Sequence, residues 1–394
     1  MDPKALYGTP NALAPHYARF RVAERLLLTG HSHQAWPDVG LKAQEEAWLD
    51  AARMVDDKWD LAFAKADEVK QGFAALLGDT GGGIALGAST HELIVRLLSA
   101  MPLRVRPRLV TTDGEFHSIR RQLDRLAEEG VEVVKVSESP LETLADRLAA
   151  AVDDRTALAL VSAVFFDSGR ILRGLARVAD RCRARGAYLL VDAYHALNVV
   201  PFSLAEEGLV DAFVVGGGYK YCQLGEGNCF LRIPADCDLR PVVTGWYSEF
   251  NALTERTPPG KVAYSDGGER FAGATHDPTS HYRAVAVFRF FREQQLTPGF
   301  LREVSQHQIG RLIERFDALD LDPKLITRDR NAPLSEIAGF LGLRSPRAGA
   351  LCKALHERGV LTDFRADLLR FGPAPYLNDR QLTDSMGILG DIVR

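Results

Sequence analysis

From about residue 84 to residue 233, short apolar runs alternate with longer segments that have the period of an amphipathic helix. Helix-period segments such as HELIVRLLSAM, HSIRRQLDRLAEEG and LARVADRCRARG place apolar residues at steps of three and four. The apolar runs between them are IALGAS, RLVTT, VEVVKV, TALALVSAVFF, YLLVDA, AFVVGG and NCFLRI. Near-continuous apolar strands separated by helices predict an α/β fold, with a mostly parallel sheet sandwiched by helices.

The remaining segments divide the chain into three parts. Residues 1–45 have apolar patches without a clear period, and we expect them to pack on both domains. Residues 46–281 form the predicted large α/β domain, which ends in loops rich in Gly, Pro, Thr and Ser from residue 239 onwards. Residues 282–394 begin with two long helical patterns and continue in the order strand, helix, strand, strand, which predicts a smaller α+β C-terminal domain.

Composition argues against several classes of function. The 48 Lys and Arg residues are scattered and balanced by 52 Asp and Glu, unlike the concentrated basic surface of a nucleic-acid-binding protein. No uninterrupted apolar run of about 18 residues predicts a membrane span, and the N-terminus lacks the pattern of a secretory signal. We therefore expect a cytoplasmic protein that binds neither nucleic acid nor membrane. The five cysteines form no CxxC pair and are expected to be reduced thiols.

Tyr219 and Lys220 directly follow the apolar run AFVVGG, within VVGGGYKYCQLGEG. A lysine that leaves a buried strand after glycines is poorly placed for a solvated surface charge. Partial burial lowers the pKa of a lysine and makes its neutral amine a usable nucleophile. A lysine on a surface loop is the alternative interpretation.

Asp192 ends the run YLLVD, and His195 follows three residues later. A carboxylate at the end of a buried strand can pair with a pyridinium nitrogen and keep it protonated, which makes the ring an electron sink. A helix N-cap aspartate is the alternative.

Ser89 and Thr90 lie between a predicted strand and a predicted helix, in GASTHELIVRLL. Their hydroxyls and the free N–H groups at the start of the helix could hold a phosphate dianion. The alternative is a capping box formed by Ser89 and Glu92. The nearby GDTGGG lacks the Gly-Lys-Ser/Thr of a nucleotide P-loop, and no GxGxxG is present. A phosphate site, a carboxylate and a lysine in this order favour pyridoxal 5′-phosphate (PLP) as the cofactor.

The segments around these residues resemble those of kynureninase, within the fold type I, class V aminotransferase superfamily. VDAYHA and YKYCQLGEG match a VDxxHA-type and a YKY-type segment of that family. GWYSEF, ERGVLTDFR and LLRFGPAPY match its GWF-type turn, its ERGV-x-x-DFR segment and its LRF-x-P-x-P ending. The resemblance runs from about residue 25 to the C-terminus and implies a PLP enzyme of fold type I.

The resemblance also implies a role for each matching residue. Lys220 would hold PLP as a Schiff base and shuttle protons, while Tyr219 would bind the phosphate and take part in proton transfer. Arg370 would bind the substrate α-carboxylate, which suits its bidentate fork. The other implied cofactor contacts are Asp192 at the ring nitrogen, His195 at the ring hydroxyl, Ser89 and Thr90 at the phosphate, Phe116 (with His117 as the alternative) stacked on the ring, Ser168 nearby, and Trp246 and Thr275 from the partner subunit of a homodimer.

Three segments depart from the family pattern. GNSLG is here GHSHQAWPD, the Gly-Thr-Pro or Ser-Asn-Pro turn is GATHDPTSH, and EFPSD is EFHSI, which lacks the aspartate that would stand at position 119. We therefore expect His31, His33 and His276 on the substrate side. Zinc needs three or four rigidly held ligands, and His31-x-His33 is only one short pair, so no metal site is predicted.

The activity implied by the resemblance is cleavage of the Cβ–Cγ bond of an amino acid by hydrolysis, as in tryptophan catabolism. The substrate would be kynurenine, 3-hydroxykynurenine or a related γ-oxo amino acid, and the products alanine and an acid. The departing segments leave a PLP-dependent C–S lyase acting by β-elimination as one alternative. The stretch from Arg347 to Cys352 mimics the RxGxxC loop of a desulfurase but lies on a predicted helix. A catalytically silent PLP-binding protein is the other alternative, which Lys220, Asp192 and Arg370 disfavour.

Overall fold

The computed structural model describes residues 2–252 and 260–394. Within them the α-helices are α1 (Val39–Met54), α2 (Lys58–Leu77), α3 (Thr90–Ser99), α4 (His117–Glu128), α5 (Leu144–Ala151), α6 (Leu175–Arg185), α7 (Thr279–Glu293), α8 (Pro298–Asp317), α9 (Ala348–Glu357) and α10 (Asp379–Val393). The strands are β1 (Leu26–Leu27), β2 (Gly83–Gly87), β3 (Arg108–Thr112), β4 (Glu132–Val136), β5 (Thr156–Ser162), β6 (Tyr188–Asp192), β7 (Phe213–Gly217), β8 (Cys229–Ile233), β9 (Thr327–Arg328), β10 (Leu341–Arg344), β11 (Val360–Leu361), β12 (Asp363–Arg365) and β13 (Leu368–Phe371).

The large sheet has the strand order β2-β8-β7-β6-β5-β3-β4. Strands β3 to β7 pair in parallel, and β8 runs antiparallel to both of its neighbours. Each predicted apolar run overlaps one of these strands, and every residue of β5, β7 and β8 is buried because helices cover both faces of the sheet. The predicted mostly parallel α/β fold is confirmed.

The helices between these strands bury one side and start or stop at identifiable signals. In α3 the side chain of Ser89 caps the N-terminus, and Leu93 and Leu97 are fully buried. Helix α6 ends at Gly186, whose φ of 61° is the left-handed conformation that glycine adopts at low cost. Helices α3 and α6 thereby return the chain to the edge where the next parallel strand begins.

The C-terminal part contains a smaller antiparallel sheet in the order β12-β13-β10-β9. Its register places Asp363 directly opposite Arg370. Helix α8 packs against α10, whereas α7 packs against α1 and α2. Helix α7 therefore packs with helices that precede the large sheet. The domain boundary between residues 281 and 282 stays a prediction.

The N-terminal segment contacts both parts of the chain. Strand β1 pairs in parallel with β11, and the Asn11 amide donates to the backbone oxygen of Pro375 over 2.9 Å. On the other side, the Tyr17 hydroxyl donates to Gln223 Oε1 over 2.5 Å. These are contacts that a segment packing on both domains would make.

The predicted loop region from residue 239 to residue 281 contains two short 3-10 helices, Trp246–Ala252 and Gly267–Phe271. The part of this prediction that covers residues 253–259 lies outside the described residues. Among residues 2–252 and 260–394, no helix has the length and apolarity needed to cross a bilayer.

Candidate active site

A cavity of 190 Å³ opens at the carboxyl ends of the central strands, next to the start of α3. This is the edge at which parallel sheets collect ligands. The cavity is lined by Ala88, Ser89, Thr90, His91, Phe116, Ser118, Ser162, Val164, Phe166, Asp192, Tyr194, His195, Tyr219, Lys220, Glu226, Gly227 and Cys229. Seven of the predicted cofactor residues therefore meet in one place.

Lys220 lies three residues beyond the end of β7 and is buried at the cavity wall. Burial lowers the pKa of its ammonium group to about 7, although the nearby Asp192 carboxylate acts in the opposite direction. Its Nζ lies 2.5 Å from His195 Nε2. A substantial fraction of this lysine is therefore a neutral amine at pH 7, and the interpretation as a surface-loop lysine is wrong.

His195 is also buried, and burial together with the charge of Lys220 lowers its pKa well below the usual value. The imidazole is therefore neutral, and its Nε2 faces Lys220. Its Nδ1 is buried without a hydrogen-bond partner among the described residues. Because buried polar atoms normally have a hydrogen-bond partner, this nitrogen is suited to bind a polar group of a ligand in the cavity.

Asp192 ends β6, and its Oδ1 accepts a hydrogen bond of 2.8 Å from the backbone N–H of Tyr194. This bond forms a turn two residues long, and no α-helix begins there in the described chain, so Asp192 is not a helix N-cap. Burial raises the pKa of Asp192, and the charge of Lys220 opposes that rise. Among residues 2–252 and 260–394 this buried carboxylate on the cavity wall forms no salt bridge, and it suits a cationic ring nitrogen.

Ser89 and Thr90 line the cavity where α3 begins. Ser89 Oγ accepts a 3.3 Å hydrogen bond from the backbone N–H of Glu92, so the alternative of a helix cap is realised. A serine hydroxyl that accepts one bond still has its own proton to donate. Ser89 can therefore cap α3 and donate to a phosphate at the same time.

Two phenylalanines, Phe116 and Phe166, are among the aromatic residues that line the cavity. The ring centroid of Phe116 lies 5.5 Å from Lys220 Nζ, and Phe116 packs edge-on against Phe166. His117 is exposed at the start of α4 and is not part of the cavity lining. The geometry favours Phe116 over His117 as the stacking residue.

Arg370 is buried outside this cavity and is already paired with a carboxylate. Its Nε and Nη2 donate to the two oxygens of Asp363 over 2.8 and 2.5 Å, and its Nη1 donates to the backbone oxygen of Phe166. Burial alone would raise the pKa of Asp363, but hydrogen bonds from His31 and Arg370 hold it well below its usual range. The guanidinium is thus fixed in position by an internal ion pair.

The structure places His31 behind Arg370 and not at the substrate side, where the sequence placed it. Its ring is fully buried, packs against Phe340 and donates from Nε2 to Asp363 Oδ1 over 2.8 Å. Burial lowers its pKa to about 4, so it stays neutral above pH 5. The reason for this placement is the pairing of β1 with β11, followed by the bridge from Thr29 to Gly372, which draws the adjoining chain into the small domain.

The other predicted substrate-side histidines occupy different positions. His33 stacks on Tyr219 with ring centroids 4.7 Å apart and lies 3.5 Å from a Glu226 oxygen, so it stands at the mouth of the cavity. His276 is exposed and lines a second cavity of 680 Å³, which shares Glu226 and Gly227 with the first. Within one chain, His276 is not part of the lining of the cavity that holds Lys220.

Three predicted cofactor residues lie apart from the first cavity. The indole of Trp246 donates to Thr275 Oγ1 over 3.2 Å, and Thr275 lines the second cavity. Ser168 is not part of the first cavity's lining, and its hydroxyl accepts a 3.5 Å bond from the backbone N–H of Arg170 within its own loop. The direct contact expected of Ser168 is not made by this geometry.

Sequence reasoning missed several residues of the site. Ser162 lines the cavity at the end of β5, and Glu115 is fully buried behind it. Tyr194 lies over Lys220, with 4.8 Å between its ring centroid and Nζ. A serine at the end of the run TALALVS was the available signal for Ser162, because polar residues at strand ends face the ligand edge of a parallel sheet.

Residues 301–389 match the family model of the kynureninase C-terminal domain. A kynureninase from Bacillus anthracis is 24% identical, with 94% of this chain and 85% of the relative aligned. A kynureninase from Xanthomonas oryzae pv. oryzae is 26% identical over 96% of this chain and 88% of its own length. These similarities extend over the residues that line the cavity and over the Arg370 region.

Solved structures share the fold at lower sequence identity. A complex of the cystine C–S lyase C-DES with its product cysteine persulfide superposes with a TM-score of 0.79 at 17% identity, covering 94% of this chain and 98% of that one. A cysteine desulfurase from Thermococcus onnurineus NA1 gives 0.78 at 17% identity, with 94% and 95% covered. At this identity the likeness establishes the fold alone.

Proposed function

We propose that the chain is a kynureninase-like, PLP-dependent hydrolase that cleaves the Cβ–Cγ bond of a γ-oxo amino acid, which its sequence similarity to kynureninases and its class V aminotransferase fold support. The candidate substrates are kynurenine and 3-hydroxykynurenine, and the products are alanine and an aromatic acid. The observation that carries the proposal is the buried meeting of Lys220, His195 and Asp192 in one cavity.

The residues of the cavity fit this cofactor. Asp192 offers a buried carboxylate for the ring nitrogen, and His195 offers an unpartnered Nδ1 for a polar ring substituent. Ser89 and Thr90 offer hydroxyls and backbone N–H groups at the start of α3 for the phosphate. When bound, PLP supplies an electron sink that stabilises negative charge at the substrate α-carbon.

Lys220 is the residue that moves protons. Because its pKa is lowered to about 7, the amine can take the proton from the substrate α-carbon and later return one. Tyr219 stands beside it, and burial raises the pKa of its phenol, so the hydroxyl keeps its proton and can donate a hydrogen bond to phosphate or substrate. Because His195 is neutral, it places no positive charge beside Lys220 and does not itself lower the pKa of the lysine.

In this proposal Arg370 binds the substrate α-carboxylate. A guanidinium carries five N–H donors, and the bonds to Asp363 and to the backbone of Phe166 use one on Nε, one on Nη2 and one on Nη1. One donor remains on each terminal nitrogen, which is the pair that a second carboxylate accepts. Asp363 neutralises the buried charge, and His31 fixes Asp363.

The surface around Trp246 supports a homodimer whose site is completed by the partner subunit. Trp246, Val242, Val243 and Phe250 are large apolar residues exposed in the single chain. Apolar residues clustered on a surface are typical of a contact with another protein. In a dimer, Trp246 and Thr275 would reach the phosphate end of the partner's cavity.

The alternative is a C–S lyase that acts by β-elimination, which the shared fold of C-DES and the exposed His33 at the cavity mouth make a specific candidate. A desulfurase with a cysteine nucleophile is disfavoured, because Cys352 lies on α9 and its thiol donates to the backbone oxygen of Thr362. The two reactions leave different products from the three-carbon part of the substrate.

Product analysis tests the proposal. The purified enzyme is incubated with kynurenine, 3-hydroxykynurenine and a panel of cysteine S-conjugates, with Lys220→Ala as the control. Alanine and anthranilate or 3-hydroxyanthranilate are the expected products. Pyruvate, ammonia and a thiol would instead identify a lyase, and bound PLP without turnover of any substrate would mean a silent binding protein.

A further inference from the structure

Glu115 is a buried carboxylate that the proposed reaction does not use. It stands between β3 and α4 and is 2% exposed. Its Oε1 accepts hydrogen bonds from the Thr112 hydroxyl over 2.7 Å and from the backbone N–H of Ser162 over 3.2 Å, and its Oε2 accepts from the Ser162 hydroxyl over 2.6 Å. These donors are neutral, so hydrogen bonding leaves the charge of the carboxylate uncompensated.

Ser162 connects Glu115 to the proposed ring-nitrogen carboxylate. It ends β5 and pairs in register with Asp192 at the end of β6, and it also lines the cavity. The backbone N–H of Ala163, the next residue, donates to the backbone oxygen of Asp192 over 2.9 Å. Glu115 therefore holds the strand end against which Asp192 is placed.

The charges around Glu115 are few. Burial raises its pKa to about 7, hydrogen bonds from Ser162 and Thr112 act in the opposite direction, and the Asp192 carboxylate raises it further. Among the described residues, Asp192 on β6 is the charged group that faces it, and Lys220 beyond β7 faces Asp192 in turn. The ring-nitrogen end of the cavity is thus bordered by two carboxylates and one lysine.

We propose that Glu115 is a positioning residue for Asp192 and, in its ionised form, supplies a second negative charge beneath the ring-nitrogen end of the cofactor site. The proposal rests on the proposed PLP function. A second carboxylate raises the proton affinity of the groups above it, because a negative charge nearby favours the protonated form of a neighbouring group. A purely structural Glu115 would act through its hydrogen bonds alone, and an isosteric amide would then leave that proton affinity unchanged.

The test is a pH titration of the bound cofactor's absorbance in the Glu115→Gln holoenzyme, with PLP content measured separately after release in alkali. We expect PLP to remain bound and the titration midpoint to fall by about one pH unit, the usual size of the effect of one nearby charge. An unchanged midpoint in a variant that holds PLP would overturn the proposal.

Glu138→Gln is the matched control. Burial, with Asp167 and Asp113, raises the pKa of Glu138 to about 7 as well, but Asp192 is not among the charges that act on it. Its midpoint should equal that of the wild type, and an equal fall in both variants would contradict a specific role for Glu115.

Thr112→Val covers the case in which Glu115→Gln does not fold. Valine has the shape of threonine but lacks the hydroxyl that donates to Glu115, so the Glu115 carboxyl becomes harder to ionise. The titration midpoint should therefore fall, but by less than in Glu115→Gln. No fall would count against the proposal. Wild-type protein that takes up no PLP would instead refute the proposed function itself, so the two failures are distinguishable.

Discussion

The pH dependence of PLP attachment to Lys220 follows from its burial. The pKa of about 7 replaces the usual 10.5, and the neutral amine is the form that attacks a carbonyl. At pH 8 roughly 90% of such an amine is neutral, against roughly 0.3% of an ordinary lysine, a gain of about 300-fold. At pH 6 the neutral fraction falls to roughly 9%, so attachment should slow about tenfold between pH 8 and pH 6.

The assay mixes apoprotein with PLP between pH 5.5 and pH 9 and follows the absorbance of the covalently held cofactor. The rate should rise with pH through about 7 and level off above pH 8, since deprotonation is then complete. Borohydride reduction followed by peptide mapping should place the label on Lys220, and Lys220→Ala should abolish it. A rate that still climbs towards pH 10, or a label on another lysine, would refute the reasoning.

The remaining predictions concern the neighbours of Lys220. Asp192→Asn should keep PLP bound but remove most of kcat, because the ring nitrogen loses its carboxylate; near-normal turnover would contradict this role. Arg370→Lys should lower kcat/KM for every α-amino acid by about 10- to 100-fold, the cost of one or two charged hydrogen bonds, as steady-state kinetics will measure. His31→Phe should raise KM about tenfold for all substrates alike at both pH 6 and pH 8, since its loss frees Asp363. His33→Ala should instead change the ranking of substrates, and a uniform loss would mean that His33 is structural.

The sheet and its helices could be predicted from the sequence because strands that are buried on both faces are apolar along almost their whole length. The run TALALVS is apolar almost without interruption because β5 is buried along its whole length. Lys220 and Asp192 could be found for the same reason, since each follows such a run and is polar where the pattern ends. Helices α1 and α2 were not predicted individually, since their burial depends on packing against α7.

The environment of the small-domain residues could not be read from the sequence. Arg370 and Asp363 each stand in a recognisable motif, but their ion pair depends on the register of β12 against β13. His31 was expected to face substrate because its segment departs from the family pattern. Its burial depends instead on the pairing of β1 with β11, whose partners lie more than three hundred residues apart.

The N-terminal segment also connects the surroundings of Lys220 with those of Arg370. Lys220 follows a strand of the large sheet and Arg370 lies on a strand of the smaller sheet, and the segment is hydrogen-bonded to Gln223 and to the backbone of Pro375. The N-terminal segment therefore links the part of the chain that carries Lys220 to the part that carries Arg370. A chain that starts at α1 would keep the sheet that carries Lys220 but lose this link and His31. Such a chain should still take up cofactor while discriminating poorly between amino acids and simple amines.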